Sequence, residues 1–374
     1  MGPRAACTVE RIAVSTFEIP TDLPEQDGTL SWNKTVLVTV EAASDGVSSL
    51  GYTYADAATA KLIEEKLAPI ALGGDALGPE AAYAQMEKAT RNLGGDGITA
   101  MAVSAMDLAL WDLKARLFEV PLATLLGATR TDVPVYGSGG FTSYDLGTLQ
   151  RQLAGWVKEQ GIPRVKMKVG AHPEQDHERV RAAREAIGDE AELFVDANGA
   201  HSAKRALAQA QKFAQFGVSW FEEPVSSDRL DALRFVRERV PGGMEVAAGE
   251  YGYRLEYFLR MLQASAVDVL QLDATRCGGV TGFLRAAHLS QAFGIPVSTH
   301  CAPALHVQLG CACGAVRHLE YFHDHVRIES SLLGAPKARD GVLGFDPALP
   351  GFGLVLDTER SAVFQRAHVE LRAH

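Results

Sequence analysis

The chain lacks any apolar run approaching the ~18 residues that a membrane-spanning helix requires. Its first residues, MGPRAACTVERIAVSTFEI, contain no basic segment followed by an unbroken apolar stretch. No secretory leader is therefore expected, and a cytoplasmic location is. No CxxC pair occurs among the five cysteines, Cys7, Cys277, Cys301, Cys311 and Cys313. That odd set argues against both a disulfide framework and a zinc knuckle. Positive charge is in deficit, with 36 Lys and Arg against 46 Asp and Glu and a net charge of -10. This argues against nucleic-acid and anionic-membrane partners, although a local site can still bind a small anion. Low-complexity tracts, charge blocks and short repeats are also missing. What remains is an ordinary globular composition in 374 residues, long enough for two domains or for one barrel with a smaller companion.

Residues 10–42 alternate apolar and polar positions on either side of a polar insert: RIAVSTFEIP, TDLPEQDGTLSW and KTVLVTVEA. The pattern predicts an antiparallel hairpin with a long loop. From Ala57 to Leu126 the periodicity turns helical, and GITAMAVSAMDLALWDLKARLF is apolar around most of its surface, as a buried helix is. An α+β domain over residues 1–130 follows. From Val133, short β-rich runs alternate with charged helical stretches: VPVYG, RVKMKVG, ELFVDANG, VSWFEEP, MEVAAGE, VDVLQLD, IPVSTH and RHLEYF. Continuous apolar strands between helices indicate a parallel sheet covered on both faces, and eight of them close a barrel over residues 131–340. The tail, 341–374, begins GVLGFDPALPGFGLVLD and reads as loops with one strand, returning to the first domain.

Charged residues punctuate the barrel region: Lys166, Lys168, Asp196, Glu222, Glu250, Asp273, His300 and Glu320. From Lys168 onward they recur every 20 to 28 residues, about one strand, one helix and two loops. A βα barrel gathers its strand ends on one face, so these groups become neighbours. Lys166 and Lys168 project from the same face of their strand, and mutual repulsion tunes such a pair toward neutrality, where a lysine serves as a base. The bland alternative is two solvated lysines on an edge strand. Asp196, Glu222 and Glu250 each end an apolar run; singly each reads equally well as a helix cap or a surface acid. Three such carboxylates on consecutive units repel one another unless a cation sits between them, and oxygen ligands suit Mg²⁺ or Mn²⁺. Asn198 and Glu223, beside these ligands, are candidates for hydrogen bonds to them or to substrate. Asp273 can hold the imidazole tautomer of His300 and make it a general base. Cys301, next to it, reads as a small core residue, with a reactive thiol as the alternative. In HLEYFHDH, Glu320 keeps the strand-end register, whereas His318, His323 and His325 read as packing or loop residues, with a second metal site as the alternative.

The lysine pair, the Asp, the Glu-Glu-Pro, the Gly-Glu, the Asp followed by Gly-Gly and the Ser/Thr-His together resemble the enolase superfamily, mandelate racemase subgroup. The resemblance extends to VSAMDLALWDLKARLFEVPLATLLG. It implies an α/β fold in which an N-terminal α+β capping domain covers a modified TIM barrel, (β/α)7β. It further implies Asp196, Glu222 and Glu250 as Mg²⁺ ligands, Lys168 as the base on one substrate face, and Asp273 with His300 on the other. Lys166 and a protonated Glu320 would stabilise the enediolate formed when the α-proton of a carboxylate is removed, and Ser138 aligns with a substrate-contacting serine. Capping segments, Pro20 to Trp32 and GYTYAD, would set specificity through Thr21, Asp22, Asp27, Trp32, Tyr52 and Tyr54. Tyr251 and the TRCGG around Arg276 depart from the family pattern, so the substrate stays open. The expected reaction is dehydration of an acid sugar to a 2-keto-3-deoxy acid, with a racemase or epimerase as the alternative. A metal-dependent aldolase or hydrolase leaves the lysine pair and the Asp–His pair without roles. A non-catalytic sugar-acid-binding barrel is the reading from a different class. A homo-oligomer with a small carboxylate substrate is expected.

Overall fold

The computed structural model describes residues 7–373. Residues 1–6, the start of the segment that carries the no-leader expectation, and His374 lie outside the described residues. The hairpin forms from β1 (Arg11–Gln26) and β2 (Ser31–Ser44), paired antiparallel from Arg11 opposite Ala43 to Gln26 opposite Ser31. The insert expected as a loop is thus largely strand. Pairing shifts between Pro20 and Glu25 and then resumes, and Asp27 closes a tight turn by accepting from the backbone N–H of Thr29 (2.6 Å) and Leu30 (2.7 Å). Polar side chains hide this half of the hairpin from a periodicity argument because backbone pairing and one Asx turn hold it.

Strand β3 (Gly51–Tyr54) pairs with β2, and the apolar helix α1 (Ile98–Leu117) packs behind them with most of its side chains buried. Two buried acids on α1 fasten the cap, one to the barrel and one to the tail. Asp107 accepts from the backbone N–H (2.9 Å) and hydroxyl (2.7 Å) of Thr281, while Asp112 accepts from the N–H of Leu50 (2.8 Å) and Phe352 (2.5 Å).

Eight parallel strands then close a barrel: β4 (Asp132–Gly139), β5 (Arg164–Lys168), β6 (Glu192–Asp196), β7 (Val218–Glu222), β8 (Glu245–Ala248), β9 (Val269–Leu272), β10 (Val297–Thr299) and β11 (Val316–Phe322). Closure is the pairing of β11 with β4, Leu319 opposite Val135 through Phe322 opposite Ser138. Helices Leu146–Ala154, Asp176–Ile187, Ala203–Ala214, Leu230–Arg237, Leu255–Gln263, Gly279–Ala292 and Pro303–Ala312 make the connections. Among the described residues no helix is long and apolar enough to cross a membrane.

After β11 comes the short helix α2 (His323–Glu329). The tail, expected to hold one strand, holds more: β12 (Val342–Gly344) adds antiparallel to β4, a two-residue pairing joins Leu332–Leu333 to Val355–Leu356, and β13 (Gln365–Arg372) lies along β1 with Arg372 opposite Arg11. β13 is mostly exposed, so its sequence QRAHVELR needs no apolar alternation.

The hairpin tip is pressed onto the barrel mouth. Thr142, just beyond β4, donates from its N–H to Gln26 O (2.8 Å) and from its hydroxyl to Asp27 O (2.9 Å), and Ser143 Oγ donates to Pro24 O (2.6 Å). A Cβ at Gly28 would lie 2.2 Å from Ala197 O and 2.8 Å from Val169 O, so only glycine fits there. Gly28→Ala is expected to cost about 1–3 kcal/mol. The signature would be a lower urea midpoint and faster amide exchange across residues 20–32, with the barrel strands unchanged; unaltered exchange in the hairpin would show that the tip is not seated in this way.

Candidate active site

Parallel register brings the charged strand ends together. Lys168 lies opposite Asp196, and Asp196 opposite Glu222, on three adjacent strands. Glu250 follows β8 through Gly249, whose φ is 141° and where a Cβ would meet Gln271 O at 2.2 Å. Just past the strand ends, Asn198 (φ 46°), Glu223 (φ 36°), Cys301 (φ 52°) and Ala302 (φ 39°) adopt left-handed backbone that costs roughly 1–3 kcal/mol per residue. Such strain persists where surrounding structure imposes it, and it concentrates here around the charged cluster.

Beneath the cluster the barrel is filled by Tyr136, Phe194, Trp220 and His318, with ring centroids 5.0 to 5.5 Å apart around the set. Burial holds His318 well below the usual histidine range, so it packs as a neutral ring. On this dry floor sits Lys166, fully buried, with its ammonium 2.5 Å from Glu222 Oε1, 2.8 Å from Glu320 Oε1 and 3.6 Å from Asp196 Oδ2. Lys168 Nζ lies 2.5 Å from Asp196 Oδ2.

The expectation of a lysine tuned toward neutrality by its neighbour is not met in this arrangement. Burial works against both ammonium groups, yet Glu222 and Glu320 hold Lys166 well above the usual lysine range and Asp196 holds Lys168 above it. Carboxylates at contact distance outweigh the repulsion between the lysines. Glu320, expected as a protonated acid, is likewise an acceptor: from Lys166, from Ser138 Oγ (2.6 Å) and from the backbone N–H of Cys301 (2.7 Å). Burial would raise its carboxyl, but the charge of Lys166 holds it well below the ordinary range.

Asp196, Glu222 and Glu250 each offer an oxygen within 4.8 Å of the others. Burial and the charge of Asp196 push Glu222 upward, and burial and the charge of Glu250 push Glu223 upward. Glu250 Oε2, Glu223 Oε1 and Asn198 Oδ1 are buried without a hydrogen-bond partner. Excess buried negative charge with oxygen atoms left unpaired fits a hard divalent cation, with Asp196, Glu222 and Glu250 as the residues able to hold it.

Across the mouth, His300 Nδ1 lies 2.8 Å from Asp273 Oδ2, and Nε2 is 3.5 Å from Glu250 Oε2. Burial would raise Asp273, but the His300 hydrogen bond and charge, aided by Arg276, hold it well below the carboxylate range. An ionised Asp273 accepts from Nδ1–H, which leaves Nε2 as the working nitrogen. Cys301 Sγ is 3.3 Å from that nitrogen, but burial and the charge of Glu320 raise its thiol well above the usual range, so it is no nucleophile.

A cavity of about 280 Å³ joins these groups to the cap. Lys168, Asn198, Glu250, Asp273, His300, Glu320 and, from the hairpin, Trp32 line it; Lys166, Asp196 and Glu222 lie buried below. Three candidates sit elsewhere. Ser138 is wholly buried, with its hydroxyl given to Glu320 rather than facing the cavity. Tyr52 is fully buried and donates to Glu329 (2.6 Å), whereas Tyr54, two residues on, lines the cavity. The left-handed turn at Glu223 carries that side chain to the wall of a neighbouring groove of about 840 Å³, which Asn198 and Tyr251 share with the cavity. That groove is larger, but the convergent lysine, histidine and carboxylate chemistry belongs to the smaller cavity.

Arg276, to which the sequence assigned no site role, and His325, expected as a packing or loop residue with a second metal site as the alternative, both line the cavity. Arg276 donates to Glu250 O (3.0 Å) and lies 3.6 Å from Asp273 Oδ2. His325 stacks on Tyr54 with centroids 3.5 Å apart. Arg276 falls three residues after Asp273, a turn spacing that could have marked it; His325 had no comparable signal.

Residues 11–127 match the family described as mandelate racemase / muconate lactonizing enzyme, N-terminal domain, and residues 148–361 match the family described as enolase C-terminal domain-like. A 3,6-anhydro-alpha-L-galactonate cycloisomerase of Streptomyces coelicolor is 33% identical over 362 residues, covering 94% of this chain and 98% of the relative. A mandelate racemase/muconate lactonizing enzyme-like protein from Rubrobacter xylanophilus, known by crystal structure, is 52% identical and superposes with a TM-score of 0.94 over 96% of this chain and 100% of that one. The L-talarate/galactarate dehydratase of Salmonella typhimurium LT2, solved with Mg and L-lyxarohydroxamate, is 26% identical with a TM-score of 0.90, covering 100% of this chain and 97% of that one.

The carboxylate cluster makes a direct prediction about metal affinity. In a calorimetric titration with Mg²⁺, Glu250→Gln should weaken binding by more than roughly tenfold while the fold, followed by circular dichroism, is retained. Unchanged affinity would remove Glu250 from the ligand set.

Proposed function

The chain belongs to the mandelate racemase / muconate lactonizing enzyme family of the enolase superfamily, and from that membership we propose that it is a Mg²⁺-dependent hydro-lyase converting a sugar acid to its 2-keto-3-deoxy acid. The observation that carries the α-proton part of this reading is that Lys168 from β5 and the Asp273-held His300 after β10, two groups able to exchange protons, line one cavity. The candidate ligands on β6, on β7 and after β8 lie between them on one side of the barrel, Glu320 on the other.

Mg²⁺ held by Asp196, Glu222 and Glu250 would supply Lewis-acid charge to the substrate carboxylate and draw on the same carboxylates that otherwise hold the lysines protonated. Lys168 Nζ, in its neutral form, takes the α-proton from one face. The Cα–H electron pair passes onto the substrate carboxylate as an enediolate; its return forms the Cα–Cβ double bond as the Cβ–O bond breaks, and His300, as the imidazolium, gives its Nε2 proton to the departing hydroxyl, which leaves as water. The enol so formed takes a proton at Cβ, gives up its hydroxyl proton and becomes the ketone. Lys166 offers a preorganised positive charge to the developing oxyanion, and Glu320, fixed by Ser138 and the Cys301 N–H, orients it. One such donor contributes about 3–4 kcal/mol, so Lys166→Met should lower turnover roughly 10²- to 10³-fold. Polar groups lining the cavity from the cap, Asp27, Lys34, Thr35 and Tyr54, support a polyhydroxylated substrate.

A second reading, an isomerase, is favoured by the alignment of 94% of this chain with a relative named as a cycloisomerase. It uses the same first proton transfer and differs in where the second proton goes.

Incubation of a sugar-acid library in D₂O with Mg²⁺ tests both. The expected outcome is loss of the α-proton signal and appearance of a 2-keto-3-deoxy acid, with Lys168→Ala lowering the rate at least ~10²-fold. Exchange with an inverted or rearranged acid selects the isomerase. No exchange with any acid, with metal bound and the fold intact, rules out α-proton chemistry.

A further inference from the structure

Where the hairpin meets the barrel, a second group of imidazole and carboxylate side chains lies apart from the three carboxylates below. Asp22 and Glu25 come from the outer half of β1, and His323 is the first residue of α2, directly after the last barrel strand. One ligand atom of each lies within 4.8 Å of the others, and His323 Nε2 is 2.9 Å from Asp22 Oδ2. Glu25 supplies an independent observation. Its side chain is buried, at 1% exposure; Oε2 accepts from Trp32 Nε1 (2.7 Å), and Oε1 is buried with no hydrogen-bond partner. Burial and the charge of Asp324 push the Glu25 carboxyl up to about 8, and Arg327 relieves this only in part because it is paired with Asp324, which also accepts from Thr35 Oγ1 (2.5 Å). A buried carboxylate oxygen without a donor beside an imidazole and a second carboxylate is a set that a cation completes.

We infer that Asp22, Glu25 and His323 bind one first-row divalent transition ion of the Zn²⁺ type, clamping the specificity hairpin to the barrel. A mixed imidazole and carboxylate set favours such an ion over Mg²⁺, which prefers oxygen ligands and retained water. Asp22 and His323 are partly exposed, with side chains 44% and 26% accessible, so the ion has a route in. The clamp joins the segment that carries Asp27 and Trp32 over the cavity to the strand end that carries Glu320. It therefore holds the cap wall in place without touching the reacting atoms.

Metal content, not activity, tests this, so the result does not depend on the proposed reaction. Full-length chain carrying Asp196→Asn, which cripples the lower cluster, is dialysed against Zn²⁺, and bound metal is counted. Adding His323→Ala should remove one equivalent of Zn²⁺ per chain. Adding Glu25→Gln instead, which keeps an acceptor for Trp32, should weaken that equivalent by roughly 10- to 100-fold. Zn²⁺ should also slow amide exchange in residues 20–32 only where His323 is present. If His323→Ala fails to fold by circular dichroism, Glu25→Gln and Asp22→Asn provide the same reading. Zn²⁺ stoichiometry and affinity unaltered by these substitutions, or no binding in the Asp196→Asn chain, overturns the clamp and leaves a surface Asp–His pair.

Discussion

One buried ammonium group constrains the rest of this molecule. Lys166 has no solvent exposure and stands among Glu222, Glu320 and Asp196, while Tyr136, below it, presents its ring 5.4 Å from Nζ. Removing so many charges from water is costly, and the cost is met only when every partner arrives at contact distance. Lys166 stands on β5 and those partners come from β4, β6, β7 and β11, so the cluster exists only if the barrel is closed and in register. A one-residue slip would point a whole strand's charged set outward. Closing the barrel and assembling the site are thus one event.

The cap depends on the same geometry. Its hairpin tip can rest on Val169 O and Ala197 O only because β5 and β6 end where they do, and because residue 28 has no side chain. Behind it, the Asp107 contacts with Thr281 and the Asp112 contacts with Leu50 and Phe352 fix the cap helix against a barrel helix and the tail. The cavity is then walled from both sides: the candidate acid–base groups at the barrel strand ends, and polar groups on hairpin and β3. Rigid strands suit the first task, which needs atoms held to fractions of an ångström. A docked hairpin suits the second, since it can vary without disturbing the barrel.

The strand-end rhythm made the barrel and its charged cluster legible in the sequence, because parallel strands in a closed barrel leave little freedom at their C-terminal ends. Lys166, Lys168, Asp196, Glu222, Glu250, Asp273, His300 and Glu320 all converge as that rhythm implies. Residues governed by a local turn were not legible. Glu223 would alternate away from Glu222 on any strand, and its left-handed φ is what sends it to the next groove. Tyr52 and Tyr54 share a face of β3 and both donate to Glu329, the first at 2.6 Å and the second at 3.4 Å, yet only the second ring lines the cavity. Protonation was not legible either: two adjacent lysines suggest mutual repulsion, and only the distances show that carboxylates win.

Under the proposed function, the choice between eliminating a hydroxyl and returning a proton to carbon would rest on the groups that line the cavity beside Lys168 and His300. Lys168 and His300 would serve either outcome without change, since both need a base on one face and an acid on the other. What differs is whether a β-hydroxyl is turned toward His300. His325 is held in place beside that pair: its Nδ1 accepts from the Ala302 N–H at 3.2 Å, and burial, reinforced by the charge of His300, pushes its pKa down to about 3. The ring is neutral with its proton on Nε2, stacked on Tyr54 and exposed to the cavity. An uncharged donor held in one tautomer recognises a hydroxyl better than a second carboxylate, for which a cation would be the stronger partner. Specificity for the position of a hydroxyl can thus be built beside the acid–base pair by one ring whose orientation the barrel backbone and a cap tyrosine jointly determine.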